Sequence, residues 1–331
     1  QIGIGNQPVN QPDWTFNGNA ASYSVKNLQV VVQPIPSSVW NGTAGTDWGT
    51  AANWTPAGVP DAAGAYVIFG QQTGSNTVDL LSAGRTVGLL TFTDPNSTTI
   101  QSTGGHTLTL DNGAMAAGIS LAGTHAISAP LSLASDLTVG GAGTLTVSGG
   151  ITAGGRSVTI GGSSTVNLTG GALSNPSSLI TQSGGTLTVS NATVTMNSDA
   201  NGVFGVGYGA AGTGTVTVND GGVLNIGTGG GRTFVGGGPS GGTMGTGILN
   251  INGTGQVNVA AAGSFPNDRI YLSGHGGSGT INLNGGTLTT ARNIQHGSGS
   301  GPSIMNFDGG TLRAGANINV ENSLTSANVL A

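Results

Sequence analysis

From about residue 70 onward the chain is cut into runs of four or five residues in which Val, Leu or Ile alternates with Thr, Asn or Ser, and Gly pairs separate the runs. Examples are Thr107-Leu108-Thr109-Leu110, Thr144-Leu145-Thr146-Val147, Thr165-Val166-Asn167-Leu168 and Thr186-Leu187-Thr188-Val189. Alternation with period two gives a short strand with one apolar and one polar face. No window of twelve residues offers helical spacing, and Gly recurs too often for a helix to persist. Strands this short bury little alone, so the fold must come from stacking many copies of one unit.

The C-terminal third displays that unit. Gly212 to Val218 matches Gly245 to Ile251, Gly277 to Leu283 and, more loosely, Gly301 to Phe307, at offsets of 33, 32 and 24 residues. A second strand follows each match, at Gly222 to Ile226, Gly255 to Val259, Gly286 to Thr289 and Gly310 to Arg313. A third precedes each, at Val203 to Val206, Arg232 to Val235, Arg269 to Leu272 and Arg292 to Gln295. Three strands per repeat joined by Gly-rich corners describe an all-β fold, a three-sided β-solenoid or parallel β-helix. An antiparallel sandwich of short strands is the competing reading. Inward side chains of successive coils stack in columns, and Val216, Leu249 and Ile281 are expected in one of them. If residues 71–331 form the solenoid in coils of about 24 residues, there are about eleven coils in a rod on the order of 50 Å long.

Composition removes several alternatives. Gly contributes 64 of 331 residues, yet Pro is only 12 and no Gly-X-Y register runs through the chain, which excludes collagen. Charged residues are 6%, against about 25% in ordinary domains. With 36% hydrophobic residues and net charge −5, the chain is not disordered by self-repulsion. Seven scattered cations and a pI near 5.0 leave no basic footprint for nucleic acid. The apolar runs are too short for a membrane span. There is no Cys, hence no disulfide framework or thiolate metal site. A start at Gln1 is what removal of a secretion signal leaves, and export without disulfides suits a bacterial cell surface.

The first seventy residues differ. They hold all four Trp and half of the Pro. Residues 1–38 read as an extended arm with one long strand between Ala21 and Val32, whose Tyr23, Val25, Leu28, Val30, Val31 and Val32 suit addition to a sheet edge. Pairing of this strand with its own solenoid or with a neighbouring subunit is equally open. Residues 39–70 read as a cap in which Trp40, Trp48 and Trp54 close the end of the core, with a sugar-stacking platform as the alternative.

The pattern Trp40-Asn41-Gly42, Asp47-Trp48, Asn53-Trp54 and Gly58-Val59-Pro60, followed by the strand Ala65 to Phe69, resembles the opening of secreted bacterial proteins with autotransporter-associated β-strand repeats. The Gly-Thr-Leu units at Gly185, Gly286 and Gly310 are similar to that family's repeat, and the resemblance covers about residues 39 to 331. It implies a right-handed parallel β-helix, secreted or exposed at the cell surface. No C-terminal set of amphipathic barrel strands is present, so the resemblance does not extend to self-translocation.

Chemistry-bearing residues are sparse. The twelve acids are dispersed, without the carboxylate cluster or calcium run that catalysis on a β-helix needs, and the chain reads as a non-enzyme without cofactor or metal. His275 and His296 follow the third strand of successive repeats and read as corner residues, with a metal pair as the sharper alternative. Arg232, Arg269 and Arg292 recur at one repeat position and read as solvated corner residues, with a stacked column of like charge that marks a ligand or subunit face as the alternative. Lys26, the sole Lys, reads as solvated. Thr-x-Thr triplets start at 107, 144, 186, 193, 215 and 287, spacings too irregular for one register, which argues against an ice-binding ladder.

The expectation is a structural extracellular protein that partners itself in a filament, sheath or matrix. A polysaccharide-binding adhesin is the second reading and a carbohydrate-active enzyme the third.

Overall fold

The computed structural model describes residues 36–70, 76–196, 202–209, 211–227, 231–238, 245–262, 269–297 and 301–321. The arm residues Tyr23 to Val32, with Lys26, lie outside them, as do Asp199 and Asp268. Residues Pro36–Ala331 form one compact unit.

The described strands form three sheets, parallel except where the edge strand Trp54–Thr55 pairs antiparallel with Ser37–Trp40, and from Tyr66–Phe69 onward the chain visits them in strict rotation. Sheet 1 has twelve strands; sheets 2 and 3 have ten each. From Tyr66–Phe69 in sheet 1, Asn76–Asp79 in sheet 2 and Arg85–Val87 in sheet 3, each coil is followed by the next until Asn293–His296, Ser303–Asp308 and Thr311–Ala314. The fold is therefore a three-sided parallel β-helix, and the antiparallel sandwich is excluded. The described residues make ten coils rather than about eleven, because coil length varies. Thr144, Thr165 and Thr186 lie opposite one another at a spacing of 21 residues, whereas Thr186, Thr215, Ile248 and Thr280 are spaced by 29, 33 and 32.

The coils begin earlier than residue 71. Tyr66–Phe69 pairs in parallel with Leu89–Phe92, and Ser37–Trp40 extends the same sheet by pairing with Tyr66–Phe69. The segment 39–70 thus supplies rungs of sheet 1 as well as a cap.

Alternation explains the core. In sheet 2, Leu145, Val166, Leu187, Val216, Leu249, Ile281 and Met305 form one inward column, and Val78, Ile100, Ile127, Val147, Leu168, Val189, Val218, Ile251 and Leu283 form its neighbour. All are buried. Sheet 3 contributes Leu108, Leu131, Ile151, Leu173, Val194, Leu224, Val257 and Leu288 in the same manner. The backbone hydrogen bonds that pair the rungs run between successive coils, which satisfies the polar backbone of each strand.

The corners explain much of the glycine. Gly207 and Gly236, just past Val206 and Val235 in register, have φ of +66° and +85°. A Cβ at Gly236 would collide with the carbonyl oxygen of Ser278, so both the turn and the close approach of the next rung require Gly there.

Candidate functional site

The Trp-rich segment is a cap built from the residues of its own motif. Trp40, Trp48 and Trp54 are all buried, at 2%, 0% and 2% exposure. Trp54 donates its indole N–H to the Trp48 carbonyl at 2.8 Å, and Trp48 donates its own to the Pro60 carbonyl at 3.0 Å. Asn53 donates to the Asp47 carbonyl and accepts the Ala44 N–H. Asp47 accepts the Gly49 N–H at 2.9 Å, and Asp61 accepts the Thr86 N–H at 2.8 Å while pairing with Arg85 at 3.1 Å. The rings of Trp54, Phe69, Phe92 and His125 then continue inward, with Phe69 and Phe92 stacked at 5.0 Å and Phe92 and His125 at 4.6 Å. With no exposed indole among these three, the cap offers no sugar-stacking platform.

His125 is a core residue. Its Nδ1 accepts the Thr98 N–H at 3.2 Å and its Nε2 lies 2.7 Å from the Ala122 carbonyl, which places the ring proton on Nε2. Nothing in its sequence neighbourhood marked it, because a lone His in an alternating strand carries no signal of its burial.

The two other His readings separate. His296 lies within a strand of sheet 1, opposite Leu272, while His275 is an exposed residue of the turn Gly274–Gly276. The His296 Nδ1 lies 3.0 Å from the Ser273 hydroxyl and 2.7 Å from that of Ser303. Both serines are buried, and Ser303 donates to the Leu272 carbonyl at 3.0 Å. Glu321 accepts the His296 backbone N–H. The cluster ties sheet 1 to sheet 2 at a corner. Among the described residues no group of three or more His, Asp or Glu could hold a metal ion.

The arginine column is corrected by one residue. Arg269 opposes Asn293, not Arg292. A shift of one position reverses the face, so Arg292 turns inward. It is 1% exposed and donates to the carbonyls of Ala260 at 2.8 Å, Gly227 at 2.8 Å and Gly231, spanning three coils.

The Thr-x-Thr triplets do not all fall in one register, as their spacing implied. Those starting at 144, 186 and 215 share one register on sheet 2, and those starting at 107, 193 and 287 share one on sheet 3. Their irregular sequence spacing arises from corner length and from division between two sheets, not from slipped strands. Both outer faces are nearly free of charge. On sheet 2 the outward column reads Thr77, Thr99, Ala126, Thr146, Asn167, Thr188, Thr217, Asn250, Asn282 and Asn306. Its last members form an amide ladder: Asn306 donates to Asn282 at 2.7 Å, Asn282 to Asn250 at 2.8 Å and Asn250 to the Thr217 hydroxyl at 3.2 Å.

The remaining carboxylate of interest is Asp79, 5% exposed. Burial pushes its pKa up, but the Thr103 backbone N–H, the Gln101 amide and the Thr103 hydroxyl outweigh it and hold the carboxyl below 3.8.

Comparison of the chain with protein-family models, with curated proteins and with solved structures finds no match.

Proposed function

We propose that the chain is a structural extracellular protein of a bacterial surface, a subunit that polymerises by strand addition between neighbours and by side-to-side packing of coil stacks. The edge at the last described coil carries this reading. Sheets 2 and 3 end there on Ser303–Asp308 and Thr311–Ala314, and no further strand pairs with either among the described residues. Phe307 and Leu312, opposite the fully buried Leu283 and Leu288, are only partly buried. An edge with unpaired backbone groups and half-covered apolar columns is a template for an extended apolar strand. The sequence alternation around Tyr23, Val25, Leu28 and Val30 to Val32 supplies one. A head-to-tail contact of this kind does not close on itself, so it propagates as a fibre.

Two further features support the reading. The outward columns of sheets 2 and 3 carry almost no charge, which favours packing of one molecule on another. The Trp motif's similarity to secreted repeat proteins supports export to the surface.

Electron microscopy of the full chain and of a deletion of residues 1–38 tests the assembly route. Fibres from the full chain and a folded, β-rich monomer from the deletion are expected. If the deletion polymerises as the full chain does, strand addition from the arm is wrong and side-to-side packing carries assembly. If neither forms fibres, the filament reading falls.

A further inference from the structure

The outer face of sheet 1 changes character in its last coils. One outward column reads Thr138, Thr159 and Ile180 and then, past Gly205, becomes Phe234, Tyr271 and Gln295. Its neighbour becomes Arg232, Arg269 and Asn293. Gly205 has no side chain, and the Tyr208 ring occupies the space in front of it, where a Cβ would press on that ring. The result is an aromatic ladder across three coils: Tyr208 lies 5.5 Å from Phe234, and Phe234, buried between its neighbours, is stacked 5.2 Å from Tyr271, which leaves the two tyrosines partly exposed.

Polar groups border the ladder. Arg269 donates to the Gln295 side-chain oxygen, and an open groove of about 250 Å³ is lined by Arg269, Asn293, Ile294, Gln295, Asn319 and Glu321. Burial pushes the Tyr208 phenol above 10.0, with the Arg232 charge working in the opposite sense. The phenol is therefore a neutral donor near pH 7. The longest coils fall here too.

Extending the register that pairs Thr233 with Ile270 by one residue puts Arg232 beside Arg269 on successive strands. Arg232 has no ion pair among the described residues. In a chain of net charge −5 with only seven cations, placing two side by side beside an aromatic ladder favours an anionic ligand with flat apolar faces.

We propose that this face binds an anionic polysaccharide, with sugar rings against Tyr208 and Tyr271 and carboxylate or sulfate groups bridging Arg232 and Arg269. A sugar ring offers an apolar C–H face to the aromatics and hydroxyls to the amides of Asn293 and Gln295. Nucleic acid shares the stacking and charge chemistry, but its dense phosphates require more than two cations against a net negative protein. The role goes beyond the proposed polymerisation, which would use the edges and outer faces of sheets 2 and 3 rather than the outer face of sheet 1.

The test is titration of the full chain with polygalacturonate, dextran sulfate, neutral dextran and single-stranded DNA, followed by isothermal calorimetry or affinity electrophoresis. Binding to polygalacturonate, dextran sulfate or both is expected, and which of them binds tells carboxylate from sulfate. The R232Q/R269Q pair should weaken it about tenfold or more, Y271A should also weaken it, and rising salt should weaken it in the unaltered protein. Arg156→Gln removes an exposed charge elsewhere and should leave binding unchanged. The salt series needs no variant and so stands even where R232Q/R269Q misfolds. Equal binding of neutral dextran, preference for DNA, no binding to either anionic glycan, or equal loss in R156Q overturns the proposal.

Discussion

Trp54 donates its indole N–H to the backbone carbonyl of Trp48 at 2.8 Å while the two rings lie 4.9 Å apart. One residue is thus both the lid on the first coils and the bond that fixes its neighbour's backbone. An exposed coil end would present unpaired backbone groups and the end of the apolar columns to water; the Trp cluster covers that end with its largest side chains and satisfies its own polar atoms.

Truncation of this lid is expected to be costly. Trp54→Ala should destabilise the protein by about 3–5 kcal/mol, through lost burial and an orphaned Trp48 carbonyl. Because Trp40, Trp48 and Trp54 are buried, emission from them should be blue-shifted and poorly quenched by iodide in the native state. Red-shifted, freely quenched emission from the three would contradict the cap.

The sheet 2 column gives a second prediction. Leu249 lies between Val216 and Ile281 in register and is 3% exposed. Leu249→Ala should cost about 2–5 kcal/mol, and Leu249→Asp should abolish cooperative folding because a carboxylate has no partner in a core lined by Leu, Val and Ile. Thermal unfolding by circular dichroism checks both. A native-like transition for Leu249→Asp would remove Leu249 from the core.

These two sites differ in how far they could be read from residues alone. Val216, Leu249 and Ile281 were legible because the sequence around each repeats almost unchanged, and matching segments must occupy matching places in a coil. The aromatic run Phe69, Phe92 and His125 was not: the three occur in segments with no shared motif, and the register of sheet 1 aligns Phe69 with Phe92 while His125 meets them from a strand of sheet 2. Arg292 failed for a related reason. Alignment of the repeats by the letter Arg put it with Arg269, while the strands align by the apolar pair Ile270 and Ile294. The face containing Tyr208 was missed because its column crosses Gly205, where the strand pattern offers no side chain and a residue three positions later fills the gap.

Asp79 predicts an acid sensitivity with a definite sign. Its carboxyl is held below 3.8 in the folded protein, so its contribution to stability is complete above that value and is lost as pH falls from about 3.8 through the lower folded value. Chemical-denaturation curves between pH 2 and 6 should show stability declining toward the acid end. In Asp79→Asn that part of the slope should flatten. An unchanged slope would mean that the hydrogen bonds from Thr103 and Gln101 do not favour the charged form.

The amide ladder on sheet 2 gives the last prediction, and it separates side-chain chemistry from packing. Asn282 is both acceptor, from Asn306 at 2.7 Å, and donor, to the Asn250 oxygen at 2.8 Å. Asn282→Asp keeps the shape and the acceptor but removes the donor. Above about pH 4 it sets a carboxylate against the Asn250 oxygen. The ladder then loses one hydrogen bond and gains a repulsion, a cost of about 1–3 kcal/mol. Protonation restores an O–H donor, so the deficit should shrink as the pH falls below 4. Asn282→Thr, which matches Thr188 and Thr217 in the same column, should cost less and show no such pH dependence. Denaturant midpoints of the two variants at pH 3.5 and pH 7 decide the matter: equal deficits at both pH values for Asn282→Asp would mean that the amides align by backbone register alone and that the ladder adds nothing to the stability of the stack.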